Sequence, residues 1–133
     1  MYTRRWIAAL LMSLSACGGS STSPGGGSPS TPTTTLPPSG GPTITIGPAG
    51  VSPKQLEVTV GSRVIFTNND TVPHEMSSNP HPTHELCPPV NEVSALAPGT
   101  SRQTGAFGTA RTCGYHDHGQ SENTALQGTI VIR

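Results

Sequence analysis

Charge, aromatic rings and long apolar runs are all scarce in this chain of 133 residues. Only 11% of residues are charged, seven basic against seven acidic, and no Lys/Arg cluster is present to neutralise phosphates, which argues against nucleic acid as a partner. Aromatic residues make up 4% and hydrophobic residues 32%, too little for one uniform core, so the apolar side chains must be concentrated in part of the chain. No window of twelve residues carries a 3.6-residue apolar period free of Pro and Gly, so helix is expected to be nearly absent. What abounds instead is 16 Gly and 14 Pro, with five His and three Cys. The length excludes a large multi-domain enzyme.

The first seventeen residues join Arg4 and Arg5 to an apolar stretch, Trp6 to Leu14, followed by Leu14-Ser15-Ala16-Cys17. That pattern is an export signal, and its apolar stretch falls far short of the roughly 20 residues that span a bilayer. Small residues before a cysteine resemble the lipobox of bacterial lipoproteins, in which cleavage leaves the cysteine as a lipidated N-terminus. The resemblance implies lipidation of Cys17 and a membrane held through that lipid. The alternative is an ordinary cleaved signal with a coincidental cysteine. Gly18 rather than Asp follows Cys17, which by the same resemblance directs the anchor to the outer membrane or cell surface. Residues 18–42 are all Gly, Ser, Thr or Pro apart from Leu36, a composition expected to form a disordered linker. Such a tether reaches roughly 25 to 30 Å as a coil and about 75 Å when its Pro-rich half is extended.

Residues 43–133 then form one small domain with five basic and seven acidic side chains, a formal charge of −2. Apolar residues alternate in Thr43–Ile46, Leu56–Val60, Val64–Phe66 and Thr129–Ile132, the period of half-buried strands. Gly61 separates the second and third as a hairpin turn would. Asn68-Asn69-Asp70, Pro98-Gly99 and Gly105 to Gly108 mark further turns. The expected fold class is all-β, an antiparallel Greek-key sandwich or barrel.

All five histidines, His74, His81, His84, His116 and His118, lie in this domain, and Cys87 and Cys113 lie among them. Imidazole and thiolate are the donors that suit zinc and copper, so the clustering points to a metal site. His116 and His118, at i and i+2 of an extended segment, would share one face, with Asp117 pointing away. His74 and Met76 share a parity in the same manner. Cys113-Gly114-Tyr115-His116 also has the spacing of a loop that returns two ligands to one metal.

These pieces, in this order, resemble the cupredoxins, the blue-copper family of plastocyanin, azurin and amicyanin. The resemblance rests on the strand ending Val64-Ile65-Phe66-Thr67-Asn68-Asn69-Asp70, then His74, the Pro98-Gly99 turn, Cys113-x-x-His116, and Gly128-Thr129-Ile130-Val131-Ile132. It implies copper held by His74, Cys113 and His116, single-electron transfer with a redox partner protein, and a monomer. Leu126 stands where the family's axial Met is expected, and Met76 or His118 would fill that vacancy. The segment His81-Pro82-Thr83-His84-Glu85-Leu86-Cys87 is additional to the family pattern.

Cys87 leaves a second reading open. In an exported chain Cys87 and Cys113 form an even pair, and a disulfide between them would remove the thiolate and stabilise the domain by about 3 kcal/mol through loop closure. Copper would then be held by histidines alone, drawn from His74, His81, His84, His116 and His118. Gly114-Tyr115-His116-Asp117-His118-Gly119 also resembles a stretch of copper-zinc superoxide dismutase, but too little chain follows to supply that family's other ligands. No nucleophile elbow, phosphate loop or dinucleotide fingerprint is present, so the domain is expected not to be an enzyme.

Overall fold

The computed structural model describes residues 40–133. The expected signal segment 1–17, with Cys17, and the linker as far as residue 39 lie outside the described residues. The linker's last residues already belong to the domain, since Pro42 accepts a backbone hydrogen bond from Ile65 at 2.9 Å.

The described residues form nine strands, the longer of them built on alternating apolar residues. β1 (Thr43–Gly47), β2 (Gly50–Ser52), β4 (Ile65–Asn68) and β7 (Ser101–Gln103) form a four-stranded sheet in the order β2-β1-β4-β7. β3 (Gln55–Val58), β5 (His74–Ser78), β6 (Ser94–Leu96), β8 (Arg111–Asp117) and β9 (Gly128–Ile132) form the second, in the order β3-β9-β8-β5-β6. Ile44 and Ile46 of the first sheet and Met76, Cys113, Tyr115, Ile130 and Ile132 of the second are buried in one cluster with Phe66. Each such side chain contributes on the order of 1.5 to 3 kcal/mol on leaving water. Phe66 and Tyr115 meet edge to face across the sandwich, with ring centroids 5.1 Å apart.

Helix among the described residues amounts to one turn, α1 (Pro88–Asn91), opened by its prolines, and two 3-10 turns at His118–Gln120 and Thr124–Leu126. The sheets are mixed rather than purely antiparallel, because β1 pairs parallel with β4 and β3 parallel with β9. Gly61 does not close a hairpin either. It adopts φ +90° and carries the chain from β3 in one sheet to β4 in the other, with its N–H donated to the Phe107 carbonyl at 2.8 Å. Both strands have one face to bury, and the sandwich satisfies both by placing them in opposite layers.

Candidate metal centre

The alternation of β8 decides which side chains meet. Cys113, Tyr115 and Asp117 share the inward face, whereas His116 shares the outward one with Thr112 and Gly114. The inward Cys113 sulfur is bonded to Cys87, with α-carbons 5.7 Å apart. This corrects the ligand set implied by the cupredoxin resemblance. Cys113 has no thiolate to offer, and His74 and His116 lie on opposite faces of the sheet. Met76 is wholly buried in the core, away from the outward face, and Leu126 is buried beside a cavity of about 200 Å³ that His74 also lines.

His74 is occupied otherwise. Its Nδ1 lies 2.6 Å from Asp117 Oδ2 and its Nε2 3.4 Å from Asp70 Oδ2. Asp117 Oδ1 accepts from the backbone N–H groups of Gly119 and Gln120, capping the 3-10 turn that begins at His118. The Asp70 carboxyl is held below its usual range, first by the Thr71 backbone N–H and then by His74. His74 is thus a buried imidazole between two carboxylates.

The other four histidines gather on the outer face of the five-stranded sheet. Residues 79–87 leave β5 and fold back over β8, bringing His81 and His84 onto His116. One nitrogen from each of these three lies within 4.8 Å of the other two. His116 Nε2 and His118 Nδ1 each stand 3.3 Å from His84 Nε2, and the His81 and His118 ring centroids are 5.2 Å apart. Two imidazole nitrogens bound to one ion at about 2.0 to 2.1 Å stand about 3.3 Å apart in a tetrahedral arrangement, so the spacing fits a shared metal. His116 is buried, His84 half-buried, and His81 and His118 are exposed.

Each ring is held by its surroundings. His84 has φ +52°, a left-handed conformation that costs a non-glycine residue roughly 1 to 2 kcal/mol. Three bonds hold it there. Its N–H donates to the Pro80 carbonyl at 2.7 Å, and its carbonyl accepts from Ser78 Oγ at 2.7 Å and Asn91 Nδ2 at 2.8 Å. His116 Nδ1 lies 2.7 Å from Asn79 Oδ1. Burial lowers the pKa of both His84 and His116, and neighbouring imidazoles lower each further; Glu75 opposes this at His84 and Asp117 at His116. Neutral imidazole, the form that binds metal, is therefore favoured at both.

Of the expected ligands, His81, His84, His116 and His118 are brought together, and His74, Met76 and Cys113 are not. Asn79, Ser78, Asn91 and Asp117, which hold the histidines, escape sequence reasoning. Only the position of Asp117 between two histidines gives a signal, and strand parity says no more of it than that it faces away from them.

No protein-family model and no curated protein matches the chain. Solved structures do. A purple cupredoxin from Nitrosopumilus maritimus superposes with a TM-score of 0.51 at 22% identity, covering 69% of this chain and 99% of that one. A point mutant of amicyanin in its reduced state gives 0.53 at 20%, covering 71% and 83%. Oxidised plastocyanin from Dryopteris crassirhizoma gives 0.53 at 16%, covering 68% and 99%. With its two mixed sheets and its single inter-sheet core, residues 40–133 of this chain have the cupredoxin fold.

Proposed function

We propose that this protein is a copper-binding module that holds Cu(II) through His81, His84, His116 and His118, tethered to a bacterial envelope membrane by a lipid on Cys17. The observation that carries the reading is the convergence of His81, His84 and His116 nitrogens within 4.8 Å, with His118 against His84. Borderline imidazole donors suit copper, and among the divalent first-row metals an N-donor site binds Cu(II) most tightly. When bound, the ion would supply a Lewis-acidic and one-electron centre. The chain's own part is to hold the four rings in place.

The disulfide favours copper holding and delivery over a thiolate electron-transfer centre. A blue-copper site needs a cysteine thiolate, and Cys113 is committed to Cys87. Exposed His81 and His118 also leave one side of the site accessible to a partner protein that receives or donates the ion.

Cu(II) titration of the purified full chain, with a free-thiol count beforehand, tests the reading. The expected result is one tightly bound copper, nitrogen hyperfine structure in the EPR spectrum, no titratable thiol beyond Cys17, and no intense absorption near about 600 nm. His116→Ala and His84→Ala should each weaken binding by more than about tenfold. An intense blue or purple colour, or unchanged affinity in both variants, would refute the assignment.

A further inference from the structure

We infer that Asn79 is the positioning residue of the histidine site, fixing the tautomer of His116 so that Nε2 is free for metal, and that Gly114 is glycine to admit it. The inference rests on the four-histidine reading and deepens it. A neutral imidazole carries one N–H, and the nitrogen without it is the one that binds metal. Asn79 Oδ1, an acceptor, lies 2.7 Å from His116 Nδ1, so the proton belongs on Nδ1 and the lone pair on Nε2. That same Nε2 faces His84 Nε2 at 3.3 Å. The opposite tautomer would set two lone pairs against each other at Asn79 and place a proton between the two metal-facing nitrogens.

Asn79 is itself fixed from both sides. Its backbone N–H donates to the Gly114 carbonyl on β8 at 3.0 Å, and its carbonyl accepts from Leu86 N–H at 3.1 Å at the far end of the ligand loop. The residue therefore registers the loop carrying His81 and His84 against the strand carrying His116. Its amide lies over the Gly114 α-carbon, where a β-carbon would collide with Asn79 Nδ2 and stand 3.1 Å from its Cγ. Any side chain at 114 would push the amide off His116. Hydrogen-bonded partners of this kind set the orientation and basicity of a ligating histidine, and their loss commonly costs about 10- to 100-fold in metal affinity.

The test compares Cu(II) affinity, by competition with a chromophoric chelator, in the full chain and its variants. Asn79→Leu and Gly114→Ala should each bind copper about 10- to 100-fold more weakly, and Asn79→Asp, which keeps an acceptor oxygen, should bind at least as tightly as the wild type. Equal affinity in Asn79→Leu, or an Asn79→Asp variant as weak as Asn79→Leu, would overturn the inference. Nitrogen-15 NMR of the metal-free wild type reads the tautomer without any variant: a proton on His116 Nδ1 is expected, and one on Nε2 would overturn it. His116→Ala separates the two failures. If it binds copper like the wild type, the four-histidine reading falls and this inference with it. If it loses copper while Asn79→Leu does not, only the role of Asn79 falls.

Discussion

At the scale of single residues, burial and neighbouring imidazoles favour the neutral form of His84 and His116, and this has a cost at low pH. Because the folded-state pKa values of His84 and His116 are lowered, the metal-free fold refuses protons that the unfolded chain accepts once pH falls below the ordinary imidazole value of 6.5. Their contribution is neutral above that value and destabilising below it. The melting temperature of the metal-free protein is expected to fall between pH 7 and pH 5, and a His84→Ala/His116→Ala double variant should show a shallower fall over that window. Thermal melts across the range check this; an equal slope in both proteins would remove these residues as the cause. The region of the histidine cluster is legible in the sequence as a local density of histidine and cysteine. Their grouping is harder to read, although the same two-residue period that marks the strands also separates Cys113 from His116. Treating Cys113-x-x-His116 as a loop hides that the segment is strand β8, in which those two residues face opposite ways.

At the scale of elements, the disulfide joins β8 to the end of the loop that carries His81 and His84. It closes 27 residues, counting both cysteines from their separation of 26, a constraint worth about 3 kcal/mol. Cys87→Ser and Cys113→Ser are expected to destabilise the domain by similar amounts, measured by urea unfolding. A thiolate ligand at Cys113 would instead make that variant alone lose metal. Strand positions such as Thr43–Gly47 and Gly128–Ile132 are readable because one face of each is apolar. Strand partners are not, since alternation says which face is buried and nothing about which backbone lies alongside. That is why the sequence gives no warning of the parallel pairs β1 with β4 and β3 with β9, and why Gly61 looks like a hairpin turn.

At the scale of the whole molecule, a copper-holding domain would be joined to a lipid anchor on Cys17 through the Gly-, Ser-, Thr- and Pro-rich residues 18–42. Cys17→Ala is expected to move the protein from the membrane to the soluble fraction of an expressing bacterium while leaving its copper stoichiometry unchanged; retention in the membrane would rule out a lipid on Cys17. A protein exported as proposed would meet proteases, and the exposed Pro98-Gly99 turn is a natural place to be cut. Such a cut would separate the chain between the two pairs of proposed copper ligands. The Cys87–Cys113 bond spans that turn, so the halves stay one molecule. Nicked protein should therefore migrate as two fragments only after reduction and should still carry its copper before it. The disulfide thus protects the integrity of the site against backbone cleavage as well as against unfolding.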